Sequence, residues 1–250
     1  MYCYNRAHSA VLAFVQNSGA DLVLLQEVPH TLLSSLCALY PHHAYAIDSE
    51  RVYGGHEWTN YNVILSRFPL IEVRTVTFEP IPLPFRTKLA ILCMTPLGWA
   101  RTWNRNAIVA RAETPEGRID VVSAHLTLSR PKLRAQEFET VMASLAPGVP
   151  AIVGGDFNII ERPLIKPLSY ILGADVSESV PWFDERSRFE KRFSELGMLN
   201  PLRHHITHGF ARSQLDHILV SQSLTVKEAT VSTELYGSDH APVSVTVAVR

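Results

Sequence analysis

The chain has 250 residues, a formal net charge of −1, 46% apolar residues and 19% charged residues. This composition excludes a disordered chain, and the near-neutral charge excludes an overall basic surface for nucleic acid, although it is compatible with a local basic groove. The length suits one large α/β domain. Because no segment has the composition of a linker, we expect a single domain over residues 1–250.

Short apolar runs rich in β-branched residues predict strands, and segments of helical periodicity lie between some of them. The strands outnumber the helices, and the helices are unevenly spaced, which does not fit a regular doubly wound parallel sheet. Two packed sheets with helices outside fit better. In chain order, the predicted elements are a helix over Ala7–Gln16, a strand over Leu22–Leu25, a helix over Thr31–Leu39, strands over Val63–Leu65, Leu89–Cys93 and Ile119–Ala124, a helix over Pro131–Leu145, a strand over Ala151–Val153, a helix over Glu185–Leu196, and strands over Leu215–Val220 and Val243–Val249.

Chemistry is first indicated where the strand Ala151–Val153 runs into Gly154-Gly155-Asp156-Phe157-Asn158. Glycines at the end of a strand let the backbone approach a ligand closely. A carboxylate can accept a proton from water, and an amide can both donate and accept hydrogen bonds. Taken alone, the segment fits an Asx turn that closes the strand equally well.

Other acids and histidines lie at comparable positions beside apolar runs. Glu27 follows such a run, where burial of a carboxylate is expensive unless a cation or a donor accompanies it, and a hard cation is a natural partner. His125 ends one predicted strand, Asp216 lies within another, and Asp239-His240 precedes the last. Each residue alone is more often structural, so it is the set that indicates a site.

In order along the chain, these segments resemble the endonuclease/exonuclease/phosphatase superfamily, which includes deoxyribonucleases, apurinic endonucleases, sphingomyelinases, deadenylases, inositol polyphosphate phosphatases and tyrosyl-DNA phosphodiesterases. Each motif is weak alone, but seven in order are specific, and the resemblance extends from Tyr4 to Val249. The matching segments are Tyr4-Asn5 for the opening Asn motif, Leu25-Gln26-Glu27 for the Gln-Glu motif, Tyr61–Pro69 for Leu-Ser-Arg-x-Pro, His125-Leu126 for His-Leu, Gly155–Asn158 for Gly-Asp-x-Asn, Leu215-Asp216-His217 for the late Asp motif and Ser238-Asp239-His240 for the terminal Ser-Asp-His motif.

The resemblance implies a four-layer α/β sandwich, in which two packed mixed β-sheets are flanked by helices and the site lies at one end of the sheets. It also implies a phosphoester hydrolase that depends on Mg²⁺ or, as a substitute, Mn²⁺. Glu27 would be the principal metal ligand, with Asn5 nearby and Asp239 reaching the ion. Several family members have an acid two residues after the opening Asn, whereas this chain has Ala7 and so lacks one outer metal ligand.

The resemblance also assigns roles in catalysis. Asp156 would position and deprotonate the attacking water, and Asn158 would orient that water and the phosphate. His240, held by Asp239, would bind the phosphate or transfer a proton.

His125 would donate to a phosphoryl oxygen, and Asp216 would lie near the leaving group or tune the charge of the site. The attacked phosphorus centre gathers negative charge on its oxygens, so Mg²⁺ and two imidazole donors would favour the transition state. A serine nucleophile is the rival mechanism. Ser66, Ser123 and Ser238 lack the Gly-x-Ser-x-Gly setting that it needs.

The substrate is less clearly indicated. Trp99, Arg101, Trp103 and Arg105 alternate aromatic and basic side chains, which suits stacking on bases and neutralisation of phosphates. An ordinary amphipathic rim fits this segment equally well. A second cationic stretch, which includes Arg203, His204, His205, His208 and Arg212, precedes Asp216.

Three functions therefore stay open: a nucleic-acid phosphodiesterase that acts as an endonuclease or exonuclease or processes DNA ends, an enzyme on small or lipid-linked phosphates, and an inactive binding module. We favour the first. Only five lysines occur, which weighs against a dense basic pocket for a polyphosphate. The intact Gly-Asp-x-Asn and Asp-His residues weigh against an inactive module.

Cellular location follows from cysteine usage and apolar runs. Cys3, Cys37 and Cys93 lie in apolar segments without metal-type spacing, so we expect buried thiols in a reducing compartment. The chain opens without the pattern of a secretion signal, and no apolar run approaches the ~18 residues that span a bilayer. We expect a cytoplasmic protein without membrane insertion, and the sequence indicates no protein partner.

Overall fold

The computed structural model describes residues 5–53, 56–79, 84–94, 106–128 and 130–249. Helices and strands alternate irregularly along these ranges. The helices are α1 (His8–Asn17), α2 (His30–Cys37), α3 (Phe85–Met94), α4 (Pro131–Ala143), α5 (Lys166–Ile171) and α6 (Glu185–Glu195). The strands are β1 (Leu22–Pro29), β2 (His42–Tyr53), β3 (His56–Ser66), β4 (Leu70–Thr77), β5 (Asn106–Thr114), β6 (Gly117–His125), β7 (Ala151–Asp156), β8 (Met198–Leu199), β9 (Asp216–Ser221), β10 (Leu224–Val231) and β11 (Val243–Val249).

The largest sheet in the described residues has six strands in the order β4-β5-β6-β7-β9-β8. It is mixed, because β6 and β7 run parallel while the other neighbours are antiparallel. The parallel pair requires a crossover connection, and α4 provides it. Strands β1, β3 and β2 form an antiparallel sheet that packs on the six-stranded sheet, and the antiparallel pair β10-β11 contacts β9.

Three apolar clusters separate four layers. The first lies between helices α1 and α2 and strands β1 and β3, the second between β2-β3 and β5-β6, and the third between the six-stranded sheet and helices α4 and α6. In β5, Ile108 and Ala110 belong to the second cluster and Ala107 and Val109 to the third, because successive side chains of a strand alternate between faces. Both faces of the sheet are therefore buried, and the predicted four-layer α/β sandwich is confirmed.

One predicted element is wrong in type. The apolar run Leu89–Cys93, predicted as a strand, belongs to helix α3. A short apolar run fits a strand and a buried helix equally well by periodicity, and here the carbonyl of Pro84 accepts the N–H groups of Thr87 and Lys88 and so starts a helix. The other predicted strands and helices are confirmed in type, although β3 begins seven residues before the predicted Val63 and β1 ends four residues after the predicted Leu25. The structure adds β2, β4, β5, β8, β10 and α5.

The structure describes the helices and one of the cysteines on which the expected cell compartment was based. Within the described ranges, none of the helices combines the length and the apolar character that crossing a membrane requires. Cys37 is a buried free thiol, and burial raises its pKa. Cys3 lies outside the described residues.

Candidate functional site

Strand register brings three of the predicted site residues together at one edge of the six-stranded sheet. His125 at the end of β6 is the neighbour of Asp156 at the end of β7, and Asp156 is the neighbour of Asp216 at the start of β9. Directly opposed residues present their side chains on the same face, about 5 Å apart. Nε2 of His125 lies 3.6 Å from Oδ2 of Asp156, which places an imidazole beside the central carboxylate.

Phe157 anchors the segment that carries Asp156 and Asn158. Its ring is fully buried in the third apolar cluster, where it stacks on His217 with 4.7 Å between the ring centroids and packs on Phe138. Since Phe157 points into the core, the polar residues on either side of it are directed away from the core. The apolar residue between the acid and the amide thus fixes the position of both.

Asn158 is held by its neighbours in a left-handed backbone conformation, with φ of 55°. Its backbone N–H donates to Oδ1 of Asp156 at 2.9 Å, and its side-chain Nδ2 donates to the carbonyl of Leu126 at 2.9 Å. The first bond is the Asx turn that the sequence admitted as an alternative to a site. The turn fixes Asp156, and the second bond links it to the segment after β6, so a structural turn is compatible with a site at Asp156.

The two glycines of the motif serve strand packing. A Cβ atom on Gly155, whose φ is 143°, would lie 1.8 Å from the carbonyl oxygen of Ala124 on β6. A Cβ atom on Gly154 would lie 2.6 Å from Cδ1 of Leu24 on β1. The expected close approach is therefore made to neighbouring strands of the same chain, and at Gly155 no L side chain fits without a backbone shift.

A buried aspartate that the sequence did not reveal orients His125. Nδ1 of His125 donates to Oδ2 of Asp48 at 2.8 Å, and both side chains are inaccessible to solvent. Asp48 lies at the β-bulge of β2, where the register against β3 shifts between Ile47 and Ser49. An extra residue in a bulge re-aims a side chain, and no sequence motif marks this position.

Glu27 also lies in a β-bulge. The pairing of β1 with β3 shifts between Leu25 and Val28, and Glu27 has a φ of 56°, which is rare for a residue with a side chain. Nε2 of Gln26 donates to Oγ of Ser123 at 2.9 Å and ties the bulge to β6. That hydroxyl is consequently part of the scaffold, which agrees with the exclusion of a serine nucleophile.

The metal-type ligand atoms of Glu27, Asp48 and His125 lie within 4.8 Å of one another. Carboxylate oxygens at this spacing suit a hard cation such as Mg²⁺. Asn5, the other predicted neighbour of the ion, is buried: its Oδ1 accepts the N–H of Ala7 at 2.7 Å and its Nδ2 donates to the carbonyl of Tyr236 at 3.1 Å. Asn5 thus ties the start of the chain to the segment that leads to Asp239 and His240.

His240 is held by Asp216 and not, as expected, by the adjacent Asp239. Its Nδ1 donates to Oδ2 of Asp216 at 2.8 Å, whereas Oδ1 of Asp239 lies 4.0 Å from the other nitrogen, Nε2. The reason lies in the fold. Residues 207–208 pair with residues 240–241, and the backbone N–H of Asp216 on β9 donates to Oγ1 of Thr207, so Asp216 lies beside His240. Asp216 therefore has an orienting position that the sequence did not assign to it.

Burial and charge shift the pKa values of two central groups. Burial of the His240 imidazole works against its charged form, but the hydrogen bond and the charge of Asp216, together with the charge of Asp156, raise the pKa of His240 to about 9. Burial raises the pKa of Asp156, while His240 and His125 act in the opposite direction. The site thus couples a cationic imidazole to a carboxylate that accepts a proton more readily than an exposed one.

His208 also belongs to this cluster. Its Nε2 lies 3.8 Å from Oδ2 of Asp239, and its ring is 4.7 Å from that of His240. Burial raises the pKa of Asp239, but a contact with His208 and the charge of His240 outweigh it, so the pKa is lowered. In the sequence His208 was grouped with a cationic stretch, and only its pairing with His240 in the fold reveals its place.

The predicted polymer-contacting residues Trp99, Arg101, Trp103 and Arg105 lie outside the described residues. Of the second cationic stretch, Arg203 and His204 line a cleft with the exposed Trp182 beside α6. Helix α6 carries a buried charge at its first residue. Glu185 is buried and accepts two hydrogen bonds from the guanidinium of Arg134, at 2.9 and 2.7 Å.

Comparison with known proteins relates the chain to one family and one fold. The model of the Endonuclease/Exonuclease/phosphatase family matches residues 2–240. No curated protein sequence matches the chain. Among solved structures, an endonuclease/exonuclease/phosphatase from Beutenbergia cavernae DSM 12333 is similar, with a TM-score of 0.66 and 16% identity over 97% of this chain and 66% of that chain. The chain thus spans slightly less than two thirds of that protein.

Two further structures are covered almost completely. The mannosyl-6-phosphatase Bt3783 of Bacteroides thetaiotaomicron VPI-5482 has a TM-score of 0.58 and 16% identity, over 97% of this chain and 91% of that chain. A humanized D. rerio TDP2 has a TM-score of 0.60 and 14% identity, over 97% of this chain and 91% of that chain. At these identities the likeness establishes the fold.

Proposed function

The chain belongs to the endonuclease/exonuclease/phosphatase family, whose members hydrolyse phosphoesters, and we propose that it is a Mg²⁺-dependent phosphodiesterase of nucleic acid. The hydrolase class follows from membership of the family. The ion, the roles of the residues and the nucleic-acid substrate are the proposal.

One observation carries the proposal, namely a continuous series of contacts between acids and imidazoles. It begins with Glu27 and Asp48, passes through His125 and Asp156, and reaches Asp216, His240, Asp239 and His208. Five carboxylates and three imidazoles meet in this series within the described part of the chain. A scaffold has little use for so many ionisable groups in one continuous series, whereas hydrolysis of a phosphoester needs them.

The donor set fits a divalent cation. Carboxylates outnumber imidazoles, so a cation would offset repulsion among the acids, and the bulge aims Glu27 at the Asp48–His125 pair. Glu27 would be the principal ligand, and Asn5 and Asp239 would complete the surroundings of the ion. The ion would supply positive charge to the phosphoryl oxygens.

Asp156 and Asn158 would manage the attacking water. The raised pKa of Asp156 makes its carboxylate a better base than an exposed aspartate, and its Asx turn with Asn158 fixes the direction of attack. His240 would stay protonated and donate Nε2–H to a phosphoryl oxygen, because Asp216 holds its Nδ1. His125, oriented by Asp48, would contact a second oxygen.

A polymer substrate is supported by aromatic and cationic side chains in two segments. The sequence from Trp99 to Arg105 alternates the two types. Next to the site, the turn that follows His208 exposes Phe210 and Arg212. Aromatic rings can stack on bases while arginines neutralise phosphates.

We also propose that the enzyme is cytoplasmic, because its cysteines lie in apolar segments and Cys37 is a buried free thiol.

A substrate panel tests the proposal. Purified protein is incubated with duplex DNA, abasic DNA, single strands, RNA, a phosphotyrosyl oligonucleotide, sphingomyelin and a sugar phosphate, in Mg²⁺ and in chelator. We expect metal-dependent cleavage of a nucleic-acid substrate. Cleavage confined to the sugar phosphate or to sphingomyelin would instead favour an enzyme on small or lipid-linked phosphates, and no cleavage of any substrate would favour an inactive binding module.

The Trp103→Ala/Arg105→Ala variant separates polymer binding from chemistry. We expect weaker binding of the nucleic acid and a smaller dependence of binding on salt, with little change on a minimal diester, because a minimal diester offers no further bases or phosphates for an aromatic ring and a guanidinium to contact. Equal losses on both substrates would assign the segment to the scaffold.

A further inference from the structure

His208 lies face to edge with His240 on an adjoining segment. The two residues form an antiparallel bridge, the backbone N–H of Ala241 donates to the carbonyl of Thr207 at 2.7 Å, and the rings cross at 77° with centroids 4.7 Å apart. The side chain of His208 is 15% exposed, close to the 20% of His240. The imidazole of His208 is therefore about as buried as that of His240.

The tautomer of His208 follows from one hydrogen bond. The backbone N–H of Ala211 donates to Nδ1 of His208 at 3.0 Å, so Nδ1 presents its lone pair and the neutral ring carries its proton on Nε2. The bond closes the turn from residue 208 to residue 213, which is also held by a bridge between its ends. The conformation of this turn thus makes Nε2 of His208 a hydrogen-bond donor.

That donor converges with the donor of His240. Nε2 of His208 lies 3.8 Å from Oδ2 of Asp239, and Nε2 of His240 lies 4.0 Å from Oδ1 of the same carboxylate. Both distances exceed that of a hydrogen bond, and the carboxylate is 47% exposed. The two N–H groups are therefore directed at one region on the open side of the site.

We propose that His208 binds the phosphoryl group of the substrate through Nε2–H, as an additional imidazole donor beside His240. The inference rests on the proposed function, because it assumes a phosphoryl group next to His240. With donors on two chain segments, two oxygens of one phosphorus centre are contacted at once, and each contact strengthens as negative charge develops. The carboxylate of Asp239 lies between the two imidazoles, within 4.0 Å of both Nε2 atoms.

A metal at the same three residues is the competing occupant, since the ligand atoms of His208, Asp239 and His240 lie within 4.8 Å of one another. Coordination through Nε2 would require a lone pair on that nitrogen. The neutral ring would then carry its proton on Nδ1 and lose the hydrogen bond from Ala211. The observed bond favours a donor over a metal ligand.

Two isosteric variants separate the donor from its support of the turn. In His208→Asn, the side-chain oxygen can accept the N–H of Ala211, but the amide ends short of the Nε2 position. In His208→Gln, the amide nitrogen can reach the Nε2 position as a donor, without an acceptor at Nδ1. His43→Asn, on the exposed surface of β2, is the matched control.

The readouts are kcat and KM on the panel substrate, the affinity for inorganic phosphate by calorimetry, the metal content and the melting temperature. We expect His208→Asn to lose about 10–100-fold in kcat/KM and in phosphate affinity at unchanged melting temperature, as for loss of a hydrogen bond to a charged group. We expect His208→Gln to stay within a few-fold of the parent in both. The control should match the parent throughout.

Four results would overturn the inference: no phosphate binding by the parent, full activity and phosphate affinity in His208→Asn, a loss explained entirely by a lower melting temperature, or a loss of bound metal in His208→Asn. The fate of the proposed function is separate. If the parent cleaves no substrate but binds phosphate in a manner that depends on His208, the proposed function fails and the inference stands. If the parent cleaves nucleic acid and His208→Asn has the same activity, the inference fails and the proposed function stands.

Discussion

Oδ2 of Asp216 accepts a hydrogen bond from Nδ1 of His240 at 2.8 Å, although 24 residues separate the two in the chain. The carboxylate fixes the ring so that Nε2 lies on the side of Asp239, and it favours the imidazolium. Asp239, which directly precedes His240, has a different place, between the Nε2 atoms of His240 and His208. The residue next to His240 in the sequence is therefore not the residue that holds its ring.

The first prediction is that Asp216 and His240 act as one unit. His240→Ala should lower kcat by about 10²–10³-fold with a small change in KM, because the lost donor acts mainly in the transition state. Asp216→Asn should lose much of the same factor, and the double variant should be little worse than the worse single variant. Steady-state kinetics of the four proteins measure this coupling, and fully additive losses would show that the two residues act separately.

A second prediction concerns stability as a function of pH. The folded-state pKa of His240 is about 9 against an ordinary value of 6.5, so its contribution is fully present below pH 6.5 and is lost as pH rises through about 9. The difference is about 3 kcal/mol for a shift of this size. Urea unfolding in chelator should show the parent losing more stability than His240→Gln over this range. Parallel pH profiles for the two proteins would mean that the imidazole is not held in its charged form.

Gly155 gives a third prediction, which concerns folding alone. Gly155→Ala should destabilise the protein by about 3–5 kcal/mol, since its Cβ would lie 1.8 Å from a backbone oxygen and its φ of 143° is strained for alanine. Gly154→Ala should cost only about 1–2 kcal/mol, because the atom it meets is the end of the Leu24 side chain. Denaturant unfolding of both variants provides the comparison, and equal losses would refute the packing role assigned to Gly155.

The fourth prediction is that Glu27 holds the ion. Glu27→Gln should weaken Mg²⁺ binding, measured by calorimetry, by at least about tenfold, because the amide lacks the charge that a hard cation prefers. Activity should vanish in chelator for the parent, and the variant should need more Mg²⁺ for half-maximal activity. Circular dichroism controls for the fold. Unchanged Mg²⁺ affinity in Glu27→Gln would move the ion to another carboxylate.

The sequence predicted those site residues that stand at the ends of apolar runs. Glu27, His125 and Asp156 follow the apolar runs of β1, β6 and β7, and the end of an apolar run is visible in the pattern of side chains. Asp48 was hidden because a bulge in the middle of β2 has no pattern of its own. His208 was hidden because its place depends on a bridge to a segment more than thirty residues away.

The fold was predictable at the level of layers and less so for single elements. Runs such as Ile119–Ala124 are apolar on both faces, and only a sheet covered on both sides accounts for this. Helix α3 escaped because five apolar residues carry no period long enough to distinguish a helix from a strand. The pairing of Asp216 with His240 depends on the path of β9, which local sequence does not determine.

The burial of Phe157 links helices α4 and α6 to the position of Asp156 and Asn158. Its ring meets Phe138 of α4 and Phe193 of α6, and its two chain neighbours are the acid and the amide assigned to the water. A smaller side chain at Phe138 would leave a void that the ring of Phe157 can enter, and Asp156 would tilt with it. With the roles proposed for Asp156 and Asn158, a substitution at Phe138 would therefore change the rate with every ionisable residue left in place.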